Sequence, residues 1–252
     1  MKTVFDADVD PALVDRSLAQ TSLGSMWLDI PRPDHPPLPE PLTCDLLVIG
    51  GGYTGLWSAL HAARRHRDRR IALIEADRIG WAASGRNGGF VDASLTHGYE
   101  NGKSRWPNEI DTLEALGTEN LDGMAAEIAE LGLDAEWQRT GMLTVATEPH
   151  QVAWLEEAAA DGQGKLLDTA QIRDEVHSPT YLAGLFSPDS CAIVNPAKLA
   201  LELARACREA GVEIFEHTTA RGIHSGGAAL HVQTDGPALT CRQIVLATNV
   251  IP

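Results

Sequence analysis

Two apolar runs, Leu46-Leu47-Val48-Ile49 and Ile71-Ala72-Leu73-Ile74, lack the alternation of a half-exposed strand and predict strands buried on both faces. Between them Leu56, Ala59, Leu60 and Ala63 recur at three- and four-residue spacing, which predicts a helix. Strand, helix and strand in that order are the βαβ unit of a parallel sheet. Farther on, Ile110, Leu113, Leu121, Met124, Ile128 and Leu131 carry helical spacing across residues 108–131, with Gly117 and Gly123 weakening it. Met142–Thr147 reads as a strand and Gln151–Ala160 as a short helix. Asn195-Pro196 supplies an N-cap followed by proline at the first helical position, and the stripe Leu199, Leu203, Ala206, Ala210 runs to a stop at Gly211. Residues 212–215, 229–233 and 243–247 predict closing strands, the last followed by five residues, Thr248 to Pro252, that do not cover a parallel sheet. Ahead of all these, Pro31, Pro33, Pro36, Pro37, Pro39 and Pro41 remove amide donors and predict that residues 1–40 are an extended lead-in.

Composition adds exclusions. The 252 residues are 44% hydrophobic and 22% charged, ordinary values for a folded globular chain. Thirty-five acids against twenty bases give a net charge of −15, the wrong sign for phosphate backbones or anionic lipid, so no nucleic acid and no membrane partner is expected. No apolar run approaches the ~18 residues of a membrane span, and Met1–Asp8 lacks the basic and apolar regions of a secretion signal. Cys44, Cys191, Cys207 and Cys241 are scattered without a CxxC pair, which fits structural, reduced thiols in a cytoplasmic protein. The nine histidines show no i, i+4 pair of a zinc helix, and no serine sits in a GxSxG elbow, so no metal and no hydrolase chemistry is expected.

The chemistry is carried by Gly50-x-Gly52-x-x-Gly55, placed directly after the first strand and opening the first helix around Tyr53 and Thr54. At this spacing one glycine makes a tight turn, one lets backbone approach a diphosphate, and one lets helix and strand pack closely. The helix N-terminus then faces the anion with unpaired amides. Glu75 ends the second strand, twenty residues beyond Gly55, where a carboxylate can accept hydrogen bonds from both ribose hydroxyls, with Ala76 beside it. These features alone leave NAD and FAD as alternatives. Next comes the glycine- and polar-rich loop Arg78–Gly89, placed to follow an extended cofactor further.

From Asp45 to Gly89 the chain resembles the FAD-dependent oxidoreductases of the D-amino-acid oxidase superfamily, and Gly50–Leu56 with Ser84–Gly89 is most like the gamma-glutamylputrescine oxidase branch. Asn195–Leu199, Glu216–Ala220 and Ile244–Asn249 extend the likeness over most of residues 45–252. The resemblance implies an α/β fold: a Rossmann-like FAD-binding domain of the glutathione-reductase type with a smaller antiparallel-sheet substrate domain. In that scheme 41–105 and 191–252 are two segments of the FAD-binding domain, and 106–190 a helical linker with part of the substrate domain. By resemblance Gly50, Gly52, Tyr53, Thr54, Gly55, Glu75 and Ala76 hold the ADP half. Ser84, Gly85, Arg86, Asn87, Gly88 and Gly89 lie along the ribityl chain and ring, Ala220 offers backbone to adenine, and Ala247, Thr248 and Asn249 form a flavin-contacting strand end. Two positions depart from the pattern: Arg65, where such helices often carry glycine, and Ala220, where valine is common.

The resemblance further implies oxidation of a small amine or amino acid, as in polyamine catabolism. Hydride passes to flavin and oxygen reoxidises it, giving an imine or aldehyde and hydrogen peroxide. The family's C-terminal half has no counterpart here, so the chain is expected to be an N-terminal portion of a longer oxidase and its catalytic residues are unassigned. A non-catalytic flavin-binding fragment or subunit is the first alternative. A NAD-dependent dehydrogenase is the second, suggested by Tyr99-x-x-x-Lys103 in an expected loop. His97 reads as a surface or structural residue that could face the ring, and Trp57 and Trp81 as packing residues.

Overall fold

The computed structural model describes residues 10–22 and 24–249; Met1–Asp8 and Val250–Pro252, on which two expectations rested, lie outside them. In chain order a helix α1 (Pro11–Leu18) is followed by β1 (Leu42–Ile49), α2 (Tyr53–Arg65) and β2 (Ile71–Ile74). The middle of the chain holds β3 (Phe90–Asp92), α3 (Tyr99–Arg105), α4 (Ile110–Glu130), β4 (Met142–Ala146), α5 (Pro149–Ala160), β5 (Lys165–Leu167), α6 (Thr169–Glu175), β6 (Ala183–Ser187) and β7 (Cys191–Ile193). It closes with α7 (Pro196–Glu209), β8 (Glu213–Phe215), β9 (Ala220–Gly226), β10 (Ala229–Thr234) and β11 (Leu239–Leu246).

The main sheet runs β8-β2-β1-β11-β10-β9, with the first four strands parallel and the last two antiparallel. β1 lies between β2 and β11, pairing Val48 with both Leu73 and Val245, and Leu47, Val48 and Ile49 are buried. Burial on both faces is the reason this strand shows no polar alternation. On one face α2 and α7 cover it, packing Leu56 and Leu60 against Leu199 and Leu203. Each such leucine contributes about 1.5–3 kcal/mol by leaving water. On the other face Leu38, Leu42, Leu47, Ile74, Val232 and Leu239 form a second cluster. This mixed sheet between two apolar layers is a Rossmann-like α/β arrangement.

A separate antiparallel sheet, β4-β6-β5, carries α5 and α6, and packs Leu155 and Ala146 with Leu185. The ribbon β3-β7 pairs Phe90 with Ile193 and joins the glycine-rich loop to the start of α7.

Several elements differ from the sequence expectation. Within the lead-in, Pro11–Leu18 is helical: Asp10 accepts from the Ala12 amide at 3.0 Å and proline occupies the first turn, but no residue of α1 is buried. Farther along the lead-in, His35 and Leu38 are buried against the main sheet. Tyr99–Arg105, expected as loop, is the helix α3, with Lys103 Nζ 5.4 Å from the Tyr99 ring centre. Glu216–Ala220, which the resemblance implies to be a strand, is a bend at Glu216 and His217, with His217 at φ 50°, and the strand starts only at Ala220.

Candidate functional site

β1 ends where the chain turns sharply into α2. Gly50 sits at φ 116°, and a Cβ there would lie 2.5 Å from the Ala247 carbonyl oxygen, so only glycine fits the turn. The Ala247 amide in turn donates to the Ile49 carbonyl at 2.8 Å, which brings Ala247 and Thr248 against the glycine turn. Asn249, at φ 56°, is exposed beyond them. A Cβ on Gly55 would overlap the Gly50 carbonyl oxygen, which is the close helix–strand approach expected of the third glycine.

The first amides of the turn point at oxygen atoms. Gly51 N donates to Glu75 Oε2 at 2.6 Å, and Tyr53 N to Ser84 Oγ at 3.1 Å. Thr54 is exposed at the start of the helix. Gly52 has no side chain to cap it, and a Cβ there would meet Ser84 Oγ at 2.9 Å. The acceptors at this helix end are thus a carboxylate and a hydroxyl, the kind of oxygen ligand that an N-terminal dipole favours. Glu75 also accepts from Asp77 N at 2.9 Å, which curls the chain after β2 around its carboxylate and leaves Ala76 exposed.

Tyr53 leaves this end of the helix and donates its hydroxyl to the Pro196 carbonyl at 2.8 Å. Burial pushes its phenol up to about 12, so it holds its proton and serves as a tie between α2 and α7.

The loop that follows braces itself. Asn87 Nδ2 donates to the Ser84 carbonyl at 2.9 Å and the Ala83 carbonyl at 3.2 Å, while its Oδ1 accepts from Gly89 N at 2.8 Å. Arg86 donates Nε to the Trp81 carbonyl, and its guanidinium stands 5.3 Å from the Trp81 ring centre. Gly85 and Gly89 are buried, Gly88 is exposed, and Gly89 anchors the loop through its carbonyl to the Val194 amide at 2.9 Å. Ser84 alone of this group hydrogen-bonds the glycine turn itself.

Other candidates fall elsewhere. Ala220 opens β9, opposite Thr234; two residues earlier the Thr218 amide donates to the Glu75 carbonyl at 2.9 Å. His97 is exposed on a turn at φ 57°, and Trp57 stacks on His61. Among the described residues no cluster of three His, Cys, Asp or Glu side chains converges as a metal site, and no helix is long and apolar enough to cross a membrane.

One residue that sequence reasoning passed over is Glu216, buried at 1% exposure beside the segment after β2. Its signal was available: Ile214-Phe215-Glu216 ends a strand in an acid just as Ile74-Glu75 does.

The family described as FAD dependent oxidoreductase (DAO) matches residues 45–251. Over 221 residues the chain is 34% identical to gamma-glutamylputrescine oxidoreductase of Escherichia coli K12, covering 84% of this chain and 50% of that protein. Among solved structures, glycine oxidase from Geobacillus kaustophilus aligns with a TM-score of 0.68 at 20% identity, covering 82% of this chain and 55% of that one. L-amino acid deaminase from Proteus myxofaciens aligns with a TM-score of 0.65 at 21% identity, covering 90% and 49%. At such identities these structures speak for the fold alone. The chain spans about half the length of the relatives it matches.

Proposed function

The chain belongs to the FAD-dependent oxidoreductase family, and from that membership we propose that it holds FAD across the glycine turn, as part of an enzyme that oxidises a small amine or amino acid. The membership removes the nicotinamide alternative, and Tyr99 and Lys103 are simply neighbours on α3. The observation that carries the placement is the turn itself: amides at a helix N-terminus satisfied by oxygen ligands, with an open position at Gly52 where a side chain would collide.

In this reading Gly50, Gly52, Tyr53, Thr54 and Gly55 present backbone to the diphosphate, and Glu75 turns its carboxylate to the adenosine ribose. Ser84, Gly85, Arg86, Asn87, Gly88 and Gly89 continue along the ribityl chain towards the ring. Ala247, Thr248 and Asn249 close the flavin end, and Ala76 and Ala220 border the adenosine end. FAD, when bound, would supply the redox chemistry, as acceptor for the hydride on the carbon beside the substrate nitrogen with oxygen as the terminal oxidant. The residues named here bind and orient. Resemblance to a gamma-glutamylputrescine oxidoreductase supports a primary amine of that kind as the first substrate to try.

The test is the visible spectrum of the purified chain after desalting, with the released chromophore identified by mass, followed by a peroxide assay with gamma-glutamylputrescine and with glycine. Bound FAD and amine-dependent peroxide are expected. Bound FAD without peroxide from any amine would favour a flavin-holding portion without a substrate pocket, and a colourless folded protein would overturn the cofactor placement.

A further inference from the structure

The segment from Asp77 to Gly80 connects the end of β2 to the glycine-rich loop and touches the glycine turn directly. Gly80 N donates to the Gly51 carbonyl at 3.0 Å, and the Ile79 side chain lies where a Gly51 Cβ would point. Both contacts depend on where Ile79 is held, and what holds it comes from two distant parts of the chain. Ile79 N donates to Glu216 Oε1 at 2.6 Å, at the end of β8. Arg32, in the lead-in, donates Nη2 both to the same Glu216 oxygen at 2.9 Å and to the Ile79 carbonyl at 3.3 Å. His35 N reaches Glu216 Oε2 at 3.3 Å, and Leu38 N reaches Thr218 Oγ1 at 3.0 Å.

Glu216 thus accepts three donors while its side chain is 1% exposed, and Arg32 pairs with it at 15% exposure. A buried ion pair of this kind is a weak source of net stability, but it fixes geometry, because neither group tolerates being left alone. What it fixes here is both backbone hydrogen-bonding groups of Ile79, one residue before the amide that ties the loop to Gly51.

We propose that Arg32 and Glu216 are positioning residues for the adenosine end of the FAD site: by clamping Ile79 they hold Gly80 and Gly51 in register, so the lead-in is part of the cofactor-binding apparatus. The inference rests on the placement of FAD at the glycine turn. Neither side chain touches the cofactor in this assignment; both act through Ile79.

The experiment is FAD affinity of the full chain, read from flavin fluorescence, for the wild type, Arg32→Ala, Glu216→Ala, Glu216→Gln and Gly52→Val, with urea unfolding of each. Arg32→Ala and Glu216→Ala are expected to weaken FAD about tenfold or more, as loss of a buried hydrogen-bond partner implies. ADP-ribose, which lacks the flavin, should weaken in step with FAD. Glu216→Gln keeps an acceptor for Ile79 N and should recover most of the affinity, a rescue that general destabilisation would not give. Folded alanine variants that bind FAD as the wild type does overturn the inference; if Gly52→Val loses FAD in the same series, the site reading stands without it. A wild type that binds no FAD overturns both. Should the alanine variants not fold, hydrogen exchange in the unmodified chain decides: FAD must slow exchange of the Ile79 and Gly80 amides, and unchanged exchange overturns the proposal.

Discussion

The Ser84 hydroxyl accepts the hydrogen bond of the Tyr53 amide at 3.1 Å, thirty-one positions away in sequence. That amide opens α2, where unpaired N–H groups and the positive end of the helix dipole collect. Gly52, the N-cap residue, has no side chain to satisfy it. Ser84 does so from the far side of the loop, and a diphosphate oxygen would make the same demand on the same donors. With FAD placed as proposed, Ser84 and the cofactor would be neighbours or competitors at this helix end, across the space that Gly52 leaves open.

Gly52→Val fills that space. A Cβ at this position already lies 2.9 Å from Ser84 Oγ, and valine adds two methyl groups beyond it. The backbone at Gly52 is extended, at φ −85° and ψ −177°, which valine adopts without strain. The variant should therefore fold, with unfolding free energy changed by about 1 kcal/mol or less, yet emerge colourless from desalting. Flavin absorbance and urea titration measure the two halves of this expectation. Undiminished flavin would place the cofactor elsewhere.

Two glycine-to-alanine changes should have opposite signs. At Gly55 the new methyl would overlap the Gly50 backbone carbonyl, which cannot rotate away, so helix and strand must part; about 1–3 kcal/mol of stability should be lost. At Gly123, inside α4, nothing lies within 4 Å of the new methyl. There the better helix propensity of alanine should add about 0.5–1 kcal/mol. Urea denaturation of both variants checks the pair, and destabilisation at Gly123 of the size expected at Gly55 would contradict it.

These glycines also show what can be read from sequence and what cannot. The βαβ unit was legible because strands buried on both faces are written as unbroken apolar runs, and α7 because Asn195, Pro196 and Gly211 mark its ends. Gly117 and Gly123 looked alike as weak points in one helix, yet a Cβ at Gly117 would overlap the Ala93 carbonyl while Gly123 faces open space. No local pattern separates them. The same holds for α1, whose Leu13, Val14 and Leu18 stay exposed, and for α3, which buries only Gly102. Of the candidate site, the glycine turn and Glu75 were visible from spacing. The Arg32–Glu216 pair joins residues 184 positions apart, and only the folded sheet shows that they meet.

His35 should give the chain an acid-sensitive stability. Its ring is buried with Nε2 unpartnered, and burial lowers its pKa below 6.5, with Arg208 and Arg32 adding to the lowering and Glu216 and Asp34 opposing it. Below pH 6.5 the unfolded chain binds a proton at His35 that the folded chain refuses until a lower pH. The contribution is therefore complete above pH 6.5 and is lost as the pH falls from there through the folded pKa. Replacing the ring by His35→Gln removes the titration. Unfolding free energy measured between about pH 5 and 7 should fall less steeply with acid in the variant, and equal slopes would show that His35 does not carry the effect.

The thiols should be silent until the chain unfolds. All four cysteines are buried; burial pushes Cys44 and Cys207 up to about 12 and also raises Cys191 and Cys241. Thiolate is the reactive form, so at pH 8 a group at about 12 exposes only about one part in ten thousand to reagent. Cys44 and Cys241 face each other across the β1–β11 pairing, where reagent can enter only if the central strands separate. A disulfide reagent at pH 8 should therefore titrate no thiol in the folded protein and all four in denaturant. The slow reaction that remains reports opening of the sheet, and it should slow further when FAD is added, because the turn at Gly50, where FAD is proposed to sit, packs on Ala247 at the end of that strand pair. Rapid reaction of one or more cysteines in the folded chain would mean that β1 and β11 part far more readily than their buried register implies.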